Sequence, residues 1–231
     1  MNINIYEAEL KLFILKNISC ENHMEKISAI IDKTFMISEE MKEFHQKREQ
    51  KGYVFNGFYP IEKEIYVAGQ IYTVKIRSLN KDLMEFFKNN LQKSRTEEIQ
   101  ALTMTYRKLP SKHITKLYSV TPTVCKFETG YWRNGQTLDI FEKKLKENAI
   151  NKYNKFTDTK LDENFDLFKK IEILNKYPIV KKYKNIKMLC DKVELEIEDN
   201  ESAQKTAQII VACGLAEMNA RGFGFVNAKV L

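Results

Sequence analysis

The sequence predicts an α+β protein made of two tandem β-α-β-β-α-β units, and three observations carry that expectation. Runs with period-two alternation and runs with helical spacing succeed one another along the whole chain. Near the midpoint the polar, proline-bearing stretch Leu109-Pro110-Ser111-Lys112 interrupts the succession and suits a linker. At 231 residues the chain is long enough for one large or two small domains, taking about 150 residues per domain. The units so delimited are residues 1–110 and 114–231.

In the first unit, residues 3–15 place Ile3, Ile5, Ala8, Leu10, Leu12 and Ile14 at period-two spacing, as in a half-buried strand. Met24, Ile27, Ile31 and Phe35 then recur at helical steps after Glu21-Asn22. A second short helix starts at Ser38, whose hydroxyl can cap Met41 ahead of Phe44. Residues 53–58 and 64–76, rich in aromatic and β-branched side chains with Pro60 between them, suit a strand pair. Lys81 to Ser94 sets Leu83, Phe86, Phe87 and Leu91 on one helical face, and Ile99 to Arg107 closes the unit as a strand.

The second unit repeats this order more loosely. Ile114 to Phe127 suits a strand, and Thr137 opens a helix with Leu138, Phe141, Leu145 and Ala149 on one face. Phe165 to Ile173 suits a short strand or a helical turn, and Ile186 to Ile197 a strand broken near Asp191. Ala203, Ala207 and Ile210 then mark a helix from Ser202, and Phe223 to Val230 a last strand. The doubled order is that of the ferredoxin-like unit, which RNA recognition motifs also use. No residue-level repeat links the halves.

Hydrophobic residues at 43%, charged residues at 30%, and only 8 Gly and 4 Pro exclude collagen-like, low-complexity and wholly disordered chains. The start carries early acids and no basic region, and no run approaches the ~20 apolar residues of a spanning helix, so a cytoplasmic protein away from membranes is expected. Cys20, Cys125, Cys190 and Cys213 lack zinc or redox spacing and are expected as reduced, structural thiols. Between Lys143 and Lys187 lie 13 Lys against 6 acids, while the rest of the chain balances at 25 basic and 25 acidic residues. One cationic segment on a neutral body suits either a polyanion-binding face or a solvated helix followed by a lysine-rich loop.

No nucleotide-binding, zinc-protease or nucleophile-elbow motif is present, and no cluster has metal-ligand spacing, so neither cofactor nor metal is expected. Among three histidines, His45 stands out. It ends a helix and precedes the cationic loop with Lys47, Arg48 and Lys51 that returns the chain to Tyr53. An imidazole can exchange a proton at cellular pH, and neighbouring cations can stabilise a phosphate. The second constellation is the loop from Gly214 to Gly224, which adds Asn219, Arg221 and Gly222. Gly214 suits a left-handed helix end, while Gly222 and Gly224 leave backbone N–H groups open to phosphates. Tyr131 and Trp132, in a loop between Gly130 and Gly135, are candidates for base stacking, with Trp132 equally suited to plug a domain interface.

The pattern Gly214-Leu215-Ala216, a five-residue spacer and Gly222-Phe223-Gly224 resembles the glycine-rich loop of the sixth family of CRISPR-associated proteins, the repeat-processing endoribonucleases. Ala216 departs from the usual glycine. The length, basic pI, doubled fold and a histidine about 45 residues from the start agree with the family, whose catalytic histidine follows the first helix. The resemblance implies His45 as proton carrier, with Lys51 and Tyr53 as stabilisers, and Lys47, Arg48, Gly214, Asn219, Arg221, Gly222 and Gly224 against RNA. It implies metal-independent cleavage of CRISPR precursor RNA within repeats, by 2′-OH attack that leaves a 2′,3′-cyclic phosphate and a 5′-OH. The partner is repeat RNA, with other Cas proteins of an interference complex and a homodimer left open. The alternative is a non-catalytic guide-RNA-binding subunit of the same fold, and a small-molecule enzyme on this fold is disfavoured by the extended cationic segment.

Overall fold

The structure is a computed structural model that describes residues 3–231. Met1 and Asn2, with which the first unit was expected to begin, lie outside the described residues. The first unit runs β1 (Tyr6–Ile14), β2 (Ile18–Ser19), α1 (His23–Phe35), α2 (Glu39–Gln46), β3 (Tyr53–Phe55), β4 (Ile65–Tyr66), β5 (Ile71–Ser78), α3 (Lys81–Asn90) and β6 (Ile99–Lys108). Its antiparallel sheet has the order β3-β5-β1-β6, which is the ferredoxin-like order. The period-two residues of β1 set Ala8, Leu10, Leu12 and Ile14 into the core, where Ile27, Ile31 and Phe35 of α1 and Leu83, Met84 and Phe87 of α3 cover them.

The second unit runs β7 (Ile114–Ser119), α4 (Leu138–Thr157), β8 (Phe168–Ile173), β9 (Ile179–Tyr183), β10 (Ile186–Cys190), β11 (Val193–Ile197), α5 (Glu201–Cys213) and β12 (Val226–Val230). Its sheet order, β12-β7-β11-β8, repeats the ferredoxin-like arrangement, and β9 pairs with β10 in a separate hairpin. No helix among the described residues is long and apolar enough to cross a membrane.

Three expectations are corrected in detail, and one left open is decided. The run over 64–76 splits at Gly69, whose φ of +84° makes a turn; β4 pairs with β2, and β5 joins the main sheet. The strand from Ile114 stops at Ser119, after which Pro122 and single bridges carry the chain. Residues 168–173 form a strand on β11 and no helical turn. The lysine-rich loop is instead the β9–β10 hairpin, turning at Lys184 with φ +53°. The break at Asp191 has a physical cause: its buried carboxylate accepts hydrogen bonds from Tyr131, Trp132, Arg133 and Asn175.

Each sheet has its own core, and the two units are sewn together. Ile5 and Leu109, from the ends of the first unit, pack into the second core. Buried Arg77 of β5 donates to Glu7 Oε2 at 2.7 Å, to the Val226 carbonyl at 2.5 Å and to Asn227 Oδ1 at 2.9 Å. On the other side of the seam the hairpin turn reaches α1, where Lys184 N–H donates to Glu25 Oε2 at 2.9 Å. A cleft of about 650 Å³ opens on this seam, between the His45 loop, α4 and the glycine-rich loop.

Candidate active site

One wall of the cleft is built by the end of α2. Ser38 accepts from Met41 N–H at 3.3 Å and starts the helix. Its last carbonyls would be orphans, and Lys51 closes them: Nζ donates to the Phe44 carbonyl and, at 2.7 Å, to that of Lys47. The ammonium also lies 4.9 Å from the Phe44 ring centre. This closure sets His45 in the final turn and leaves Lys47 and Arg48 exposed at the tip. Lys155 of α4 ties the loop down, meeting Glu49 Oε2 at 2.8 Å and the Gln50 carbonyl at 3.0 Å.

The opposite wall is the glycine-rich loop between α5 and β12, and its glycines differ from expectation. The N–H groups of Gly214, Gly222 and Gly224 donate to the carbonyls of Ile210, Asn219 and Pro122 at 2.8–2.9 Å, so none is left for a phosphate. What needs glycine is packing: a Cβ on Gly224 would stand 2.0 Å from the Leu215 carbonyl oxygen, and one on Gly222 would stand 2.3 Å from Met24 Cε. Asn219 is likewise turned inward at 9% exposure. Its Nδ2 donates to the carbonyls of Leu215 and Phe223 at 3.0 Å. Its Oδ1 accepts from Lys152 at 2.7 Å.

Lys152, 1% exposed, is the residue that sequence reasoning missed on this wall. Its ammonium also donates to the carbonyls of Gly214 and Ala216 at 2.6 Å, so three acceptors take its three N–H groups. Burial pulls its pKa down to about 7, while the three oxygens favour the charged form. The signal was available: Leu145, Ala149, Lys152 and Phe156 share the helical stripe of α4.

Where the walls meet, the loop's 310 turn (Asn219–Arg221) presents Arg221. Arg221 Nη1 lies 2.5 Å from Asp32 Oδ2 on α1, and its guanidinium lies 5.8 Å from the Tyr183 ring centre. On the other carboxylate oxygen, Asp32 Oδ1 is 3.7 Å from His45 Nδ1. The His45 ring stacks on Phe35 at 5.4 Å and its side chain is 20% exposed. Burial lowers the His45 pKa; Asp32 opposes this, and Arg221, Lys51 and Lys184 add to it. In the free protein at neutral pH the imidazole is therefore neutral and able to accept a proton.

Tyr53, expected as a stabiliser, is a core residue at 2% exposure, packed on Phe35 and Phe87. Burial pushes its phenol up, and the residue lines the cleft without offering a titrating group to it. Tyr131 and Trp132 are also buried, held by Asp191, with Trp132 stacked on Phe141 at 4.6 Å; neither is open for base stacking. The 13 lysines of the cationic segment are spread over several surfaces: Lys146 is bound to the carbonyls of Glu163 and Phe165, Lys169 is paired with Asp199, and Lys152 is buried. The cations that line the cleft are Lys47, Arg48, Lys51, Lys126, Arg221 and the buried Lys152.

A family model described as CRISPR associated protein Cas6, C-terminal, matches residues 112–228. Among solved structures, the chain is similar to a CRISPR associated protein Cas6 at 19% identity and TM-score 0.72, over 97% of this chain and 99% of the other. A RAMP protein binding different RNA substrates matches at 18% identity and TM-score 0.73, over 97% and 99%. A Cas6-related protein from Pyrococcus furiosus matches at 17% identity and TM-score 0.69, over 97% and 98%. A search of curated proteins finds no match to the sequence.

Proposed function

We propose, from the premise that the chain belongs to the Cas6 family of CRISPR-associated proteins, that it cleaves CRISPR precursor RNA within the repeats. The observation that carries this reading is the convergence of the neighbouring His45 and Lys51 with Arg221, from the far end of the sequence, on one cationic cleft at the seam of two ferredoxin-like units. The RNA-binding relative of the same fold supports the choice of polymer.

In this reading the substrate supplies its own nucleophile. The ribose 2′-OH attacks the adjacent phosphorus, the P–O5′ bond breaks, and a 2′,3′-cyclic phosphate and a 5′-OH result. The protein has to orient the hydroxyl, move protons and stabilise charge on the phosphorane oxygens. His45, neutral through burial, takes the 2′-OH proton, and the imidazolium returns it by way of water to the leaving 5′ oxygen. Lys51 keeps one N–H beyond its two carbonyl partners and, with Arg221, faces the phosphate. Lys47 and Arg48, exposed at the loop tip, hold the flanking backbone by counterion release. No step in this scheme calls for a metal ion.

The test is a cleavage assay on the cognate repeat RNA with a chelator present. His45→Ala is expected to slow cutting by about a hundredfold or more, as positioned proton transfer contributes about 10²–10⁴, with RNA affinity retained. A 2′-deoxy substitution at the scissile nucleotide is expected to abolish cutting by the intact protein. Normal rates in His45→Ala would overturn the site assignment. An intact protein that binds the repeat and never cuts it would return the non-catalytic reading.

A further inference from the structure

Asp32 has no counterpart in the chemistry above, yet its surroundings are specific. It lies on α1 between the buried Ile31 and Phe35, with its side chain 25% exposed. Its Oδ2 holds the Arg221 guanidinium, and its Oδ1 is buried with no hydrogen-bond partner among the described residues. A buried carboxylate oxygen without a donor is costly, about 1–3 kcal/mol or more, and His45 Nδ1 lies 3.7 Å from it. The Phe35 ring lies flat against the imidazole, with 20° between the planes, and limits its tilt. Nδ1 thus faces α1, and Nε2 is the nitrogen left for the cleft.

We propose that Asp32 is the positioning residue of His45: it holds Arg221 while the cleft is empty, and accepts the Nδ1–H of His45 when a substrate phosphate draws the guanidinium away. The proposal rests on the endoribonuclease reading for its substrate, and on the geometry above for its partners. The loaded site then has a carboxylate fixing the tautomer in which Nε2 is free to accept the 2′-OH proton, and it stabilises the imidazolium that forms. Arg221 does two jobs in sequence, guarding Asp32 and then neutralising the phosphate. The shift required of His45 is under about 1 Å, from its present separation to hydrogen-bond distance.

The ionisable groups facing His45 come from four elements: Asp32 of α1, Arg221 of the 310 turn, Lys51 of the loop before β3 and Lys184 of the β9–β10 turn. Tyr53 and Tyr183 border the same ion pair. Replacing Asp32 therefore leaves only cations around the imidazole.

The experiment is an NMR titration of labelled histidine, with His45 assigned by its loss in His45→Ala. In the RNA-free protein Asp32→Asn is expected to lower the His45 pKa by about one unit, and Arg221→Ala to raise it. Adding 2′-deoxy repeat RNA is expected to raise the His45 pKa in the wild type and to leave it low in Asp32→Asn. In single-turnover cleavage Asp32→Asn is expected to slow the chemical step about 10–100-fold with RNA binding no weaker than in the wild type, and its His45-dependent limb to move to lower pH. Equal His45 pKa values in wild type and Asp32→Asn, with and without RNA, would overturn the proposal, as would wild-type cutting with an unmoved limb. Should Asp32→Asn fail to fold, the Arg221→Ala titration decides, since an unshifted His45 there removes the shared-carboxylate argument. The titration needs no cleavage, so failure of the endoribonuclease reading and failure of the Asp32 assignment register separately.

Discussion

Replacing Lys152 with Met tests whether the glycine-rich loop is held by one buried ammonium. Met fills much of the space of the lysine stem and supplies no donor. The carbonyls of Gly214 and Ala216 and the Oδ1 of Asn219, now 2.6–2.7 Å from Nζ, would all lose their partner. Each orphaned buried acceptor costs about 1–3 kcal/mol, and relief of the ammonium's own desolvation offsets part of the sum. Breaking one side of a buried charged network usually leaves a net loss of about 3–5 kcal/mol. At about 2–4 °C per kcal/mol for a protein of this size, Lys152→Met is expected to melt about 6–20 °C below the wild type. Thermal unfolding by circular dichroism, with urea titration alongside, reads this out. A double-mutant cycle with Asn219→Ala should show coupling above about 0.5 kcal/mol, because the two share a hydrogen bond. A melting temperature within about 2 °C of wild type, or strict additivity, would refute the clamp.

Two further outcomes follow from the same wall. Gly224→Ala is expected to destabilise by about 3 kcal/mol or more, since its Cβ would stand 2.0 Å from a backbone oxygen at a φ of +69°; Gly69→Ala, at φ +84° with nothing within 4 Å, should cost about 1 kcal/mol, and equal losses in thermal melts would show that backbone strain alone matters. Lys152 also sets a pH dependence: folding lowers its pKa from 10.5 to about 7, so between those values the unfolded chain binds more protons and stability rises with pH. The slope is at most about 1.4 kcal/mol per pH unit, reduced by the three oxygens that favour the charge. Urea unfolding at successive pH values should show it in the wild type and not in Lys152→Met.

The element order was legible because hydrophobic spacing reports which face is buried, and β1, α1, α3 and α5 follow that rule closely. Where spacing was disturbed, specific side chains explain the disturbance. The β9 strand hides among lysines because only Ile179, Lys181 and Tyr183 turn toward the protein. The cleft was legible in part: His45 ends a helix beside a cationic loop, Lys51 stands in that loop, and Arg221 stands in the glycine-rich one. Asp32 was not, since an aspartate on an amphipathic helix has the sequence appearance of a solvated residue, and only the fold brings Arg221 to it. The glycines marked a loop that lines the cleft, for another physical reason than the one expected. Their small size serves close backbone packing, and their N–H groups are already in use.

The inward orientation of Asn219 and the three spent glycine N–H groups divide the terminal loop into a frame and a script. Residues 214, 215, 219, 222 and 224 are committed to one another and tolerate little exchange. Glu217, Met218, Ala220 and Arg221 remain partly exposed at the cleft rim; Arg221 is bound to Asp32, which leaves Glu217, Met218 and Ala220 as the letters that can be rewritten without touching that pair. Variation aimed at RNA preference thus belongs at those three rim positions. A library randomised there, on an untouched frame, is the direct route to altered RNA preference.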